Sequence, residues 1–198
     1  MSNSSRRERR RSHIKEIFID AAVECIRRDG VERIKAASVA DQAGYAVGTL
    51  YNYFDDLQEL LYESSKVFFA ECAQRLRRHA SRYQAPLERL IEPALEYLRY
   101  FLENPDLFHL LFIKDLGAKG MQEFRRGVYI PEVLQLQQRS LRDCVSDGII
   151  AEEEIETVGA LVSNTVHGNL LFALTGRSAL SAEELIGKTR KELSYLFH

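Results

Sequence analysis

The chain has 198 residues, of which 45% are hydrophobic and 28% charged, a balance typical of a folded globular protein and unlike a fibrous or disordered chain. Its three widely spaced cysteines, Cys25, Cys72 and Cys144, cannot form a disulfide framework, which favours a reducing compartment. No apolar run approaches the ~20 residues that a membrane helix requires. The basic segment Arg6–Arg11 precedes an amphipathic stretch rather than an apolar one, so we expect no signal peptide and a cytoplasmic location.

Basic charge is concentrated at the N-terminus. The first 15 residues contain six basic side chains and one acidic one, and the rest of the chain contains 21 and 28. A cationic arm (residues 1–11) on an acidic body indicates either a polyanionic partner for the arm or a flexible, solubilising tail. The basic residues of this region are Arg6, Arg7, Arg9, Arg10, Arg11 and Lys15.

Apolar residues recur at spacings of three and four along nearly the whole chain, which predicts helices. The first such stretch runs from Ile14 to Ile26, with Ser12 as an N-cap and Gly30 as a stop. No segment alternates with a period of two, so the predicted fold class is all-α. The helices are predicted at 13–29, 36–43, 47–53, 57–83, from 86 to about 102, from 105 to about 115, and at 132–147, 152–175 and 182–197.

Two interruptions are expected in the second half of the chain. Pro93 lies inside a predicted helix, where it removes one backbone donor and should kink the helix. The segment Gly117–Pro131 holds three glycines and a proline and is predicted to be a loop or a broken helix. Ser181 and Glu184 form a capping box that begins the last helix.

The segment 36–54 has the layout of a helix-turn-helix. Gly44 permits a sharp turn between two short helices, and the small side chains of Ala40 and Ala43 let these helices approach closely. In such a motif the second helix enters the major groove of DNA. The residues expected to be buried are Val39, Ala40, Ala43, Leu50 and Phe54.

These residues resemble the N-terminal domain of the TetR family of transcriptional regulators. The resemblance covers about residues 12–62; beyond them only the length and the all-helical pattern agree. It implies a three-helix head over 12–56 and a larger helical domain for effector binding and dimerisation over 57–198. The matching residues are Ala21-Ala22, Gly30-Val31, Val39–Gly44, Gly48–Phe54 and Glu59–Leu61.

The resemblance implies that the second short helix reads DNA. The hydroxyls of Thr49 and Tyr51 would contact phosphates or base edges, Gly48 would let the backbone come close, and Asn52 can pair with adenine. Tyr45 and Val47 would meet thymine methyl groups at the entrance of the helix. The candidate DNA-binding residues are Lys35, Tyr45, Val47, Gly48, Thr49, Tyr51, Asn52 and Tyr53.

The head departs from the family pattern in its charge. The segment 36–56 contains no Lys or Arg, although phosphate neutralisation normally dominates affinity for DNA. We therefore expect Arg6–Arg11, Lys15 and Lys35 to supply the phosphate contacts, with the arm reaching the adjacent minor groove. The residues that replace Thr, Ser or Lys of the family pattern are Ile34, Lys35, Ala46 and Leu57.

The resemblance also implies a small-molecule effector pocket in the larger domain. The aromatic-rich helices beyond the head and the polar residues on their apolar faces are the candidates, with an apolar or aromatic effector as the default. The alternative for each polar residue is an ordinary hydrogen bond in the core or an interface. The candidate ligand-binding residues are Phe68, Tyr97, Phe101, His109, Phe112, Asn164 and His167, with Asn169 as a further orienting group.

The last two predicted helices carry apolar residues on two sides and small residues at Gly159, Ala160, Ser163 and Gly168. Small side chains allow close packing of helices, and the resemblance implies a homodimer built through a four-helix bundle. Such a dimer would place two heads about 34–36 Å apart, at successive major grooves.

Motifs for catalysis or metal binding are absent from the sequence, so we expect neither an enzyme nor a metal or cofactor. Gly187-Lys188-Thr189 resembles the end of a phosphate-binding loop, but it falls within a predicted helix. The predicted function is a ligand-responsive regulator that binds double-stranded operator DNA, a repressor released by a small molecule. The alternative, based on the missing basic residues at 36–57, is an all-α protein that binds a small molecule or partner and has lost DNA binding.

Overall fold

The structure is a computed structural model that describes residues 3–117, 122 and 131–197. All regular structure within these residues is helical, which confirms the all-α class. Most of the predicted loop or broken helix at Gly117–Pro131 lies outside the described residues. Within the described ranges, no helix combines the length and the apolarity needed to cross a bilayer.

The helices follow the predicted order. Single 3₁₀ turns at Val31–Arg33 and Glu152–Glu154 precede two of them, and a wider π-helical segment, His109–Ile113, follows the short helix that begins at Pro105. The helices are α1 (Asn3–Asp29), α2 (Ala36–Ala43), α3 (Val47–Leu50), α4 (Leu57–Ala80), α5 (Pro86–Glu103), α6 (Pro105–Phe108), α7 (Glu132–Ser146), α8 (Ile155–Leu174) and α9 (Ala182–Tyr195).

Helix α1 begins ten residues earlier than its periodicity predicts, so the basic arm is helical and Ser12 lies inside the helix instead of capping it. The Ser12 hydroxyl donates to Glu16 one turn later, at 3.4 Å. Arginine is a good helix former and no Gly or Pro interrupts the first 29 residues, so polar residues continue the helix beyond its apolar face. Gly30 ends it, with a φ of 80° and its N–H bonded to the Ile26 carbonyl at 2.9 Å.

The helix-turn-helix forms where the sequence predicts it. Gly44 adopts the left-handed conformation, with a φ of 74°, that ends α2. Four of the five residues expected in the core are buried, and Ala43 is half-buried. Helix α3 is a single turn and not the predicted 47–53, because the N–H groups of Asn52 and Tyr53 bond to carbonyls three residues back and tighten the chain.

The chain forms two compact units, one of Met1–Phe68 with Asp106–Tyr129 and the other of Phe69–Pro105 with Ile130–His198. The first unit contains α1–α3, and its core is built on Phe18, Ile26, Leu50 and Phe54. Helix α4 begins in the first unit and ends in the second.

Helix α5 is the centre of the second unit, where it packs against α7, α8 and α9. It continues through Pro93 to Glu103, and the Asn104 side chain then donates to the Tyr100 carbonyl at 2.8 Å. The predicted capping box of α9 is confirmed, since the Ser181 hydroxyl accepts from the Glu184 N–H and the Glu184 carboxylate accepts from the Ser181 N–H.

Candidate functional site

The surface of α3 and its flanking turns projects large side chains into solvent. Tyr51 is 50% exposed, and Tyr45 and Val47 are each 37% exposed. Gly48 is exposed, and a Cβ there would meet nothing within 4 Å, so the backbone itself is accessible. An exposed aromatic and apolar surface with an open backbone is suited to the floor of the major groove.

A platform of aromatic rings from α1 supports this surface. The Phe18 ring is fully buried, and its centroid lies 5.3 Å from that of Tyr45, 6.1 Å from that of Tyr53 and 6.3 Å from that of Phe54. Packed aromatic pairs of this kind restrict ring orientation. Tyr45 and Tyr53 are thus partly structural, and Tyr53 is half-buried.

Basic side chains of α1 approach the same rings. The Arg11 guanidinium carbon lies 5.6 Å from the Tyr53 centroid, and Lys15 Nζ lies 5.2 Å from the Phe54 centroid. Helical periodicity places Arg7, Arg11 and Lys15 four residues apart on one face of α1. We call these three residues the basic stripe; Arg11 and Lys15 bring its positive charge next to the rings of Tyr53 and Phe54.

The remaining predicted DNA-binding residues lie at the helix starts and on the outer face of the head. Lys35 and Asn52 are exposed, and Thr49 is half-buried. Lys35 and Ala46 are the N-cap residues of α2 and α3, and neither provides a side-chain cap. Amides at a helix start are donors that suit phosphate oxygens.

Of the two acidic residues before Leu57, Asp56 has a structural role through its side chain. Asp56 accepts from the Glu59 N–H at 2.7 Å, and the Glu59 carboxylate accepts from the Asp55 N–H at 2.6 Å. These bonds cap the start of α4, where a negative charge is favourable.

The second unit contains a cavity of about 100 Å³, partly open to solvent, between α4, α5, α7 and α8. Of the seven predicted ligand-binding residues, Tyr97 and His167 line it. The lining residues are Leu76, Ala80, Arg89, Leu90, Pro93, Ala94, Tyr97, Val133, Leu134, Leu136, Gln137, Ser140, Val162, Ser163, Val166 and His167.

Hydrogen bonding determines the tautomer of His167. Its Nδ1 lies 2.8 Å from the Ser163 carbonyl, which can only accept, so Nδ1 carries the proton. Burial lowers the pKa of His167, which keeps the ring neutral, and burial raises the pKa of Tyr97 well above its ordinary range. The Tyr97 hydroxyl therefore donates to Nε2 of His167, at 3.0 Å, and retains only acceptor capacity.

The other five candidate ligand-binding residues lie outside this cavity lining. Phe68 and Phe101 are fully buried, Phe112 is 38% exposed, and Asn164 is exposed. Asn164 follows the lining residue Ser163, but one residue rotates a helix by about 100°, which takes it off the cavity face. The fifth residue is His109 in the first unit, whose Nδ1 lies 3.1 Å from Glu32 Oε1.

Asn169 holds α8 to α9. Its amide nitrogen donates to Thr189 Oγ1 at 2.9 Å and to Glu192 Oε2 at 2.8 Å, and its oxygen accepts from Lys188 at 3.0 Å. These bonds match the alternative role of Asn169, that of a polar residue that forms ordinary hydrogen bonds within the protein.

Four polar lining residues, Arg89, Gln137, Ser140 and Ser163, were not predicted as ligand contacts. They come from three helices, and the cavity exists only where those helices meet. The one sequence signal for such residues is a polar side chain on the apolar face of an amphipathic helix, which Gln137 and Ser140 of α7 show. This signal does not distinguish a ligand contact from a residue that forms a hydrogen bond in the core.

Helix α8 has a second apolar face besides the one that packs in the core. Val158, Val162, Val166 and Leu170 are buried, whereas Leu161, Leu171 and Phe172 are 43%, 40% and 56% exposed. Gly168 lies on the same exposed side, and a Cβ there would meet nothing within 4 Å. Large exposed apolar patches of this kind mark interaction surfaces.

An all-helical chain whose head presents a supported helix-turn-helix belongs to the class of DNA-binding transcriptional regulators. The model of the bacterial regulatory proteins of the tetR family matches residues 18–63. The head of the chain therefore has the DNA-binding domain of the TetR family of transcriptional regulators.

Relatives and solved structures extend the likeness beyond the head. The HTH-type transcriptional repressor KstR of Mycolicibacterium smegmatis is 26% identical over 183 residues, which cover 90% of this chain and 83% of that protein. The regulator FadR of Bacillus subtilis in complex with stearoyl-CoA has a TM-score of 0.68 at 19% identity, over 92% of this chain and 97% of that one. RolR in complex with resorcinol has a TM-score of 0.71 at 17% identity, over 96% and 97%.

Proposed function

We propose that this protein is a homodimeric repressor that binds operator DNA in the cytoplasm and is released when a small molecule occupies the cavity of the second unit. The observation that carries the DNA-binding part is the exposed Tyr51 surface on its aromatic platform, flanked by the basic stripe.

Each part of the head has a role in the proposal. Gly48, Thr49, Tyr51 and Asn52 meet base edges and nearby phosphates, with Tyr45 and Val47 at thymine methyls. Tyr53 positions Arg11, whose guanidinium lies over its ring. Lys35, Lys15 and the arm residues Arg6, Arg7, Arg9, Arg10 and Arg11 neutralise phosphates.

The effector part is supported by the cavity and by the neighbours, one solved with stearoyl-CoA and another with resorcinol. Leu76 and Ala80 of α4 line the cavity, and the same helix begins directly after the head. A shift of α4 on ligand binding would change operator affinity, a coupling of typically ~1–3 kcal/mol. Phe68 and Phe101 then support the cavity from the core, while contacts of His109, Phe112 and Asn164 with a ligand remain predictions.

A gel-shift assay with the DNA that flanks the protein's own gene tests the DNA-binding part. We expect sequence-specific retention, and we expect Tyr51→Ala to weaken it about tenfold or more, because each good contact to a base is worth about 1–3 kcal/mol. Tyr51→Phe separates the hydroxyl from the ring, and Arg142→Ala, an exposed change in the second unit, is the control. No retention even at low salt would favour the alternative, a binding protein without DNA affinity.

A further inference from the structure

The cavity of the second unit has a polar group at each end. Arg89 and Tyr97 both line it and lie eight residues apart on α5, which corresponds to about 12 Å along the helix axis. Between them the α5 wall is formed by Leu90, Pro93 and Ala94, which are apolar. An occupant that fills this space therefore has an apolar body.

The polar groups at the Tyr97 end are already satisfied by one another. Tyr97 donates to His167, and His167 donates to the Ser163 carbonyl. The Ser163 hydroxyl donates to Gln137 at 3.1 Å, and Gln137 donates to the Gly159 carbonyl at 3.0 Å. This chain of bonds is complete without an occupant.

Arg89 at the other end is not satisfied. Its Nη2 lies 3.1 Å from Asp143 Oδ2, but its Nε is buried and has no hydrogen-bond partner among the residues that the structure describes. A buried donor without an acceptor is unfavourable, and more so on a charged group. Arginine presents its donors as a planar fork that matches the two oxygens of a carboxylate.

Exposure to solvent at this end lowers the desolvation cost of binding a charged ligand. The Arg89 side chain is 37% exposed, so a carboxylate bound to its guanidinium would keep part of its hydration. Asp143 is 47% exposed, so solvent and salt screen its repulsion of a second carboxylate.

We propose that the effector is an apolar monocarboxylate, with its carboxylate on the Arg89 guanidinium and its hydrocarbon body along α5 toward Tyr97. The proposal rests on the proposed function in taking this cavity as the effector site. The hydroxyl of a neutral alcohol of the same shape could accept from Nε only in an ordinary hydrogen bond, whereas a carboxylate forms a stronger, charge-assisted hydrogen bond with it.

Two acid–alcohol pairs of matched shape test the proposal: octanoate with octanol, and hydrocinnamate with hydrocinnamyl alcohol. Calorimetric titration of the DNA-free protein should show that at least one acid binds about tenfold or more tightly than its alcohol. Arg89→Met should abolish that preference and leave the affinity for the alcohol within about twofold. Arg139→Met, which changes an exposed arginine of α7, should leave the preference intact.

Arg89→Lys serves as a second variant if Arg89→Met does not fold. It keeps the positive charge but lacks the paired donors, so it should retain only part of the preference for the acid over the alcohol. Equal binding of acid and alcohol, or a preference that survives both changes at Arg89, overturns the carboxylate proposal and leaves the cavity as an effector site for neutral molecules. Binding of neither pair also overturns it. The titrations contain no DNA, so they test ligand binding alone. A failure of the proposed DNA binding would appear separately, in the gel shift with Tyr51→Ala.

Discussion

Glu92 is a buried carboxylate that joins α5 to α9. Both oxygens accept from the Arg190 guanidinium, with Nη2 at 2.9 Å from Oε2, and the Tyr83 hydroxyl donates to Oε2 at 3.3 Å. His79 Nε2 lies 4.0 Å from the same oxygen. The hydrogen bond from Arg190 outweighs burial and holds the pKa of Glu92 below its ordinary value of 4.5.

This lowered pKa fixes the sign of a pH dependence. A carboxyl whose pKa is lower in the folded than in the unfolded state stabilises the fold above its ordinary pKa, and that contribution is lost as pH falls through the folded pKa. The pKa of Glu96 is also lowered: burial alone would raise it, but hydrogen bonds from Arg75 and Arg99 outweigh the effect of burial. Both carboxylates therefore favour the folded state at neutral pH and less so in acid.

We expect Arg190→Met to lower the free energy of unfolding by roughly 1–2 kcal/mol at neutral pH, because it leaves a buried carboxylate with fewer partners. Since Arg190 is about half exposed, solvent screening keeps the loss below that of a fully buried pair. The difference from wild type should shrink as the pH is lowered from about 7 to about 4. Urea denaturation across this range measures it, with Arg142→Met as the control; a loss that does not vary with pH would contradict the assignment to Glu92.

At the scale of the element, α1 has two roles, because the basic arm and the first core helix, which the sequence predicts as separate segments, form one continuous helix. Its C-terminal half packs Phe18 and Ile26 into the core of the first unit, and its N-terminal half carries the basic stripe. A helix holds charges at defined spacings, so Arg7, Arg11 and Lys15 share one face while Arg6 and Arg9 lie on others.

The helical arm makes a face-specific prediction. Arg7→Ala with Arg11→Ala should weaken binding to all DNA sequences and lower the slope of log affinity against log salt by about two, since two phosphate contacts are lost. Arg6→Ala with Arg9→Ala removes the same charge from other faces and should lower the slope less. Fluorescence anisotropy over a salt series measures both pairs, and equal slopes for them would show that the arm acts only through its net charge.

At the scale of the whole molecule, the exposed face of α8 argues for a second copy. Residues Leu161, Gly168 and Phe172 recur at helical spacing on the side of α8 that faces away from its core contacts, and small residues there permit close approach of another helix. A two-fold pair of such faces is self-complementary, as a homodimer requires.

We expect Leu161→Glu with Phe172→Glu to convert the proposed dimer to monomer, raising its dissociation constant about a hundredfold or more, because charge is placed in an apolar interface. Sedimentation equilibrium measures the change. Ile113→Glu, at a 50% exposed residue of the first unit, is the matched control and should leave the dimer intact. A wild-type chain that sediments as a monomer at micromolar concentration would refute the dimer.

The contrast between His109 and His167 shows where inference from the sequence ends. Both are polar residues within apolar stretches, and both were expected at the effector site. The fold places His167 in the cavity wall and His109 beside Glu32 in the first unit. Periodicity assigns a residue to a face of its own helix, but it does not say which other helix that face will meet.

The sequence by itself determined the all-α class, the helix-turn-helix and most of its buried residues, because glycine turns and helical spacing act over a few neighbouring residues. Only the tertiary structure decided which face of α8 points outward and which side chains enclose the cavity. It also showed that Arg89 Nε has no acceptor among the residues that the structure describes, since that depends on whether a distant part of the chain brings an acceptor within hydrogen-bond distance.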